Sequence, residues 1–138
     1  MTANVSISGA KKRILYIENH EDSRQMLAVM LGQAGYEVAT TTSAGNGLSL
    51  ARLERFDLYI LDSRFSDGTG IDLCRQIRAF DPDTPIIFYS SAAYESDIKA
   101  GMAAGAQCYL IKPAGIFIIE QTVAELMARP VVVRAYVL

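Results

Sequence analysis

Five short runs in this chain have strand character, and segments with helical spacing separate them. The runs are "RILYI" (13–17), "YEVATT" (36–41), "DLYIL" (57–61), "IIFYS" (86–90) and "QCYLI" (107–111). Between the first two, Met26, Leu27, Met30, Leu31 and Ala34 recur at helical spacing, and Gly35 is a stop signal. Residues 43–54 carry a weaker helical pattern, diluted by Gly45 and Gly47. After the third run a Gly-rich loop, "SRFSDGTG", leads into a helix with Ile71, Cys74, Ile77 and Phe80 on one face. "DPDTP" (81–85) is a turn before the fourth strand. Residues 94–106 form a helix with a thin apolar face, and the last helix lines up Ile116, Ile119, Val123, Leu126 and Met127. This alternation predicts a parallel sheet with helices on both faces. The strands read as continuous apolar runs, as doubly covered strands do.

Bulk properties narrow the function. The 138 residues suit one domain with a real core. Net charge is −2 with no basic block, so no nucleic-acid surface is expected. No apolar run approaches the roughly 20 residues that span a bilayer. The opening "MTANVSISGAKKR" lacks an apolar signal core, which predicts a cytoplasmic protein without a membrane segment. Cys74 and Cys108 lie far apart and read as two free thiols.

Ligands of such sheets bind at the carboxyl ends of the strands. There the chain carries Glu18-Asn19, Asp62, Ser90-Ser91 and Lys112-Pro113. Carboxylates suit a hard divalent cation such as Mg2+. One carboxylate can attack phosphorus and become an acyl phosphate. The ammonium and the cation offset charge on phosphoryl oxygens, and a serine hydroxyl can donate to them. His20, Glu21 and Asp22 read as helix-start residues without a catalytic role.

Residues 12–128 resemble the receiver domain of bacterial two-component response regulators, with "DGTGIDLCRQIR" close to the family's loop and third helix. The resemblance implies a flavodoxin-like, doubly wound five-stranded parallel sheet of order 2-1-3-4-5. It implies Asp62 as phosphoacceptor and Glu18, Asn19, Asp62 and the Arg64 backbone carbonyl around Mg2+. Ser90 becomes the phosphate-sensing hydroxyl, Lys112 the phosphate-facing lysine, Pro113 a cis-proline and Tyr109 the aromatic switch, turning inward as Ser90 meets the phosphoryl group. The phosphoryl donor is a histidine kinase or phosphotransfer protein. The readout is a downstream partner or a fused output domain, with a homodimer open.

The amide at Asn19 departs from the family's usual pair of aspartates and predicts weakly bound Mg2+. It also keeps an alternative open: a degenerate receiver that binds proteins without phosphorylation. A flavodoxin-type electron carrier is disfavoured, because "ENHED" after the first strand repels phosphate. Residues 1–11 are expected as a polar tail. Residues 129–138 are expected either as an apolar extension packed on the domain or on a second copy, or as the start of a linker; Pro130 is the expected helix stop. No output domain fits after residue 128, so the chain is read as a stand-alone receiver or as a piece of a longer protein.

Overall fold

Along the central strands, alternate side chains enter two separate cores, one on each face of the sheet. This is seen in a computed structural model that describes residues 10–128 and 136–137. The elements run β1 (Arg13–Ile17), α1 (Glu21–Gln33), β2 (Glu37–Thr41), α2 (Ala44–Leu53), β3 (Leu58–Leu61), α3 (Gly70–Phe80), β4 (Ile86–Ser90), α4 (Glu95–Ala103), β5 (Cys108–Ile111), α5 (Ile116–Ala128) and β6 (Tyr136–Val137). Leu15, Ile17, Leu61 and Phe88 face α2, α3 and α4, meeting Leu73, Cys74 and Ile77. Ile14, Tyr16, Ile60 and Leu110 face α1 and α5, meeting Leu27, Leu31, Ile119 and Val123.

All strands of the main sheet are parallel, in the order β2-β1-β3-β4-β5-β6. The expected order of five strands is present, and a sixth is added. Tyr136 and Val137 pair with Cys108 and Tyr109 on the outer edge of β5. Residues 1–9, 129–135 and 138 lie outside the described residues, and with them the expected Pro130 stop and most of the expected polar tail. The chain leaves β1 toward β2 on one side and returns to β3 on the other. That reversal sets the carboxyl ends of β1 and β3 side by side.

Two helix faces differ from their sequence reading. Leu27 and Leu31, one turn apart, are the buried residues of α1, whereas Met26 is 58% exposed. A fully buried leucine contributes about 1.5–3 kcal/mol, so this pair sets the seat of the helix. Met26, about 100° round from Leu27, is turned outward. On α3 the buried face is Gly70, Leu73, Cys74 and Ile77. Phe80, at the helix end, is 40% exposed beneath the Arg52 guanidinium.

The "SRFSDGTG" segment is more ordered than a loop. Arg64–Phe65 pairs antiparallel with Gly68–Thr69. Asp67 in its turn accepts from the main-chain N–H groups of Ala44 and Gly45, capping α2. Thr69 caps α3 by accepting from the Asp72 N–H. Gly70 follows, and a Cβ there would lie 2.1 Å from the Asp62 carbonyl oxygen, so this close return of the chain requires glycine. His20 caps α1 through its ring, with Glu21 and Asp22 in the first turn. Both cysteines are buried, and they form no disulfide with each other.

Candidate functional site

Glu18, Asp62 and Lys112 leave three different strands and meet at one edge of the sheet. Lys112 Nζ donates to Glu18 Oε1 and, at 3.4 Å, to Asp62 Oδ2. Glu18 is fully buried, and both of its carboxylate oxygens accept hydrogen bonds. The Tyr16 hydroxyl donates to Oε1 at 3.1 Å, and the His20 main-chain N–H to Oε2 at 3.1 Å. Asp62 keeps a partly open side chain, 18% exposed, and accepts from the Ser63 N–H at 2.7 Å. The main-chain N–H of Lys112 donates to the Ser90 carbonyl, and the Lys112–Pro113 peptide is cis, as the resemblance implied.

The remaining expected residues sort by depth. Asn19 is exposed, its carbonyl oxygen accepting from Arg24. Arg64 lies in the short hairpin with its side chain exposed. Ser90 is fully buried and Ser91 exposed, so the register favours Ser90 as the inward hydroxyl. Tyr109 is 1% exposed, stacked on Phe88 with ring centroids 5.5 Å apart. Its hydroxyl donates to the Ala92 carbonyl at 2.6 Å. The ring therefore occupies an inward seat on the α4 side of the sheet.

The two carboxyls do not behave alike. Burial raises the Asp62 carboxyl, and a hydrogen bond and like charge from Glu18 raise it further, so it lies above the ordinary carboxylate range. Burial also pushes Glu18 upward. The hydrogen bond it shares with Asp62 and those it accepts from Lys112 and the His20 N–H outweigh that, and Glu18 lies below its ordinary value. Burial works to lower Lys112, but Glu18 and Asp62 reverse the effect and keep it a cation. Burial raises the Tyr16 phenol so far that it remains a donor to Glu18.

Sequence reasoning missed two participants. Tyr16 stands two residues before Glu18, and the two-residue period of a strand places both on one face; that spacing was the available signal. Ser63 follows Asp62 directly. Its hydroxyl lies 2.6 Å from Ser90 Oγ, and adjacency to Asp62 was the only hint.

Comparison with known proteins agrees with this fold. The sequence profile of the response regulator receiver domain matches residues 14–124. The transcriptional regulatory protein AfsQ1 of Streptomyces coelicolor is 32% identical over 116 residues, covering 84% of this chain and 51% of that protein. The nisin biosynthesis regulatory protein NisR of Lactococcus lactis is 33% identical, covering 84% of this chain and 49% of that protein. The chain thus spans about half the length of these relatives. Among solved structures, a two-component response regulator from Clostridium difficile superposes with a TM-score of 0.83 at 26% identity, covering 86% of this chain and 98% of that one. The non-phosphorylated HemR receiver domain from Leptospira biflexa gives a TM-score of 0.81 at 30% identity, with coverages of 87% and 98%. A profile match across most of the chain, on a sheet whose strand ends hold an aspartate, a buried serine and a lysine before a cis-proline, leaves one assignment: the chain belongs to the response regulator receiver domains of two-component systems.

Proposed function

We propose that Asp62 is the phosphoacceptor of this receiver domain. The observation that carries this is the contrast between the two carboxylates. Glu18 is fully buried and its oxygens are taken by Tyr16, His20 and Lys112, whereas Asp62 is partly open to solvent. An Asp62 oxygen attacks the phosphorus of a donor phosphohistidine. The new P–O bond forms as the P–N bond breaks, and the imidazole nitrogen leaves with the bonding pair. Lys112 already bridges toward Asp62 and offsets the charge gathering on the phosphoryl oxygens. The Ser63 N–H, aimed at Asp62, is a second donor for those oxygens. The domain thus assists its own phosphotransfer while serving as a regulator.

Mg2+ fits the donor set, which is all oxygen. Asn19 through its amide oxygen, Asp62 and the Arg64 carbonyl would hold the ion, and Glu18 would add charge behind them. The ion supplies charge neutralisation and orientation of the phosphoryl group. An amide in place of a carboxylate removes one negative charge, so binding is weak. Exchanging a ligand of this kind costs at least the roughly 10–100-fold in affinity seen for its support. Asn19→Asp is expected to tighten Mg2+ by about that factor and to speed modification of Asp62. Equal Mg2+ affinities for the two proteins would remove Asn19 from the site.

The donor is a histidine kinase or a phosphotransfer protein in the cytoplasm. The names of the relatives, a transcriptional regulatory protein and a biosynthesis regulatory protein of which this chain spans about half, support an output that lies in a fused domain or a separate partner. The direct test is incubation with Mg2+ and acetyl phosphate, read by intact mass. One phosphoryl group is expected on the wild type and none on Asp62→Asn, since an amide is not a nucleophile here. Equal modification of the two proteins would overturn the assignment.

A further inference from the structure

Ser63 touches both ends of the signalling path. Its main-chain N–H donates to Asp62 Oδ1 at 2.7 Å, while its side-chain oxygen lies 2.6 Å from Ser90 Oγ. From Ser90 the path continues. Ser90 Oγ accepts from the Ala92 N–H at 3.0 Å, and the Ala92 carbonyl accepts from the Tyr109 hydroxyl at 2.6 Å. A hydrogen-bonded chain therefore joins the acceptor aspartate to the buried tyrosine through Ser63.

Ser90 is fully buried, and a hydroxyl has one donor and two acceptor sites. The Ala92 N–H fills one acceptor site. The remaining capacity is shared between Ser63 and the Tyr109 hydroxyl, so removing the Ser63 hydroxyl leaves part of the buried Ser90 hydroxyl unmet. The seat of Tyr109 is built to match. Phe88 stacks on the ring, and Gly101 of α4 leaves room that a Cβ, 3.0 Å from the ring edge, would take.

We infer that Ser63 is a positioning residue for the switch: its hydroxyl gives Ser90 the partner that a phosphoryl oxygen on Asp62 would give it, and so holds Tyr109 seated in the unmodified protein. The inference rests on reading Asp62 as the acceptor and Ser90 and Tyr109 as the switch. Phosphorylation then replaces one oxygen partner of Ser90 by another. The domain is biased toward the inward arrangement before any phosphoryl group arrives.

The test uses the full chain labelled with 3-fluorotyrosine, with the Tyr109 resonance among the seven tyrosines assigned from Tyr109→Phe. In unmodified Ser63→Ala the Tyr109 fluorine signal is expected to move toward the position of solvent-exposed tyrosine. In Ser63→Thr, which keeps the hydroxyl, it is expected to stay at the wild-type position. Beryllofluoride with Mg2+, which restores an acceptor at Asp62, is expected to return the Ser63→Ala signal. Ser63→Cys, similar in size but a weak donor, repeats the comparison if alanine disturbs folding. An unmoved Tyr109 signal in both Ser63→Ala and Ser63→Cys overturns the inference. So does a displaced signal that persists once bound beryllofluoride is seen in its own fluorine spectrum. Failure of the wild type to bind beryllofluoride would instead count against Asp62 as acceptor, while the unmodified variants would still decide the role of Ser63.

Discussion

Lys112 carries one ammonium toward two carboxylates, and the distances decide how it is shared. It sits closer to Glu18 than to Asp62, so Glu18 takes most of the stabilisation. Glu18 is fully buried, and the Lys112 side chain is 17% exposed. Removing one member of such a pair leaves a buried charge unmatched, which costs about 3–5 kcal/mol. Lys112→Met is therefore expected to lower unfolding free energy by about 3–5 kcal/mol in urea, and Glu18→Gln in that background to recover part of it. A loss near the 0–1 kcal/mol of a surface pair would mean that water reaches the site. Glu18, Asp62 and Lys112 were legible in the sequence, because they stand immediately after strands, where topology brings strand ends together, whereas Tyr16 and Ser63 were not. The buried state of Glu18 was not. It depends on Tyr16 reaching forward along its own strand beneath α1 and α5, a consequence of packing that one-dimensional spacing does not carry.

At the scale of elements, the turn between α3 and β4 fixes where β4, and hence Ser90, begins. Arg78 ties three segments together, donating to the carbonyls of Gly105 and Thr84 and to the side chain of Gln107. Asp81 closes the turn by accepting from the N–H groups of Thr84 and Asp83 and from the Tyr59 hydroxyl. Burial pushes the Asp81 carboxyl upward, but its hydrogen bonds to Thr84, Asp83 and Tyr59 outweigh it and hold the group below its ordinary 3.8. A depressed carboxyl adds stability above its unfolded value and loses it as pH falls through the folded one. Asp81→Ala is expected to cost about 1 kcal/mol at neutral pH. The gap to wild type should hold down to the ordinary carboxylate range and close below it, read from urea melts in an acid series. A gap unchanged at the acid limit of folding would show that Asp81 acts through shape and not charge. "DPDTP" announced this turn by composition. The hairpin within "SRFSDGTG" stayed hidden because two-residue strands are too short to show a period, and its order comes from the distant amides of Ala44 and Gly45.

For the whole molecule, the open question in the sequence was what an apolar end would do. "RPVVVRAYVL" favours extended structure, but an edge strand pairs through its backbone, and side chains do not say whether the partner edge belongs to the same chain or to a second copy. In the structure Tyr136 and Val137 take the outer edge of β5, opposite Cys108 and Tyr109. Tyr109 is thereby engaged three times: its ring by Phe88, its hydroxyl by Ala92 and its main chain by Val137. Deleting residues 129–138 would expose the N–H and C=O groups along β5, and an uncovered edge of that kind invites pairing with another chain. The truncated protein is expected to self-associate in sedimentation velocity at concentrations where the full chain does not, and to unfold at lower urea. Its Tyr109 resonance is expected to move as well, since the main chain on which that residue rides has lost its neighbour. Unchanged sedimentation, urea midpoint and Tyr109 signal would mean that β5 is protected by its flanking helices alone, and that the sixth strand adds no stability to the sheet.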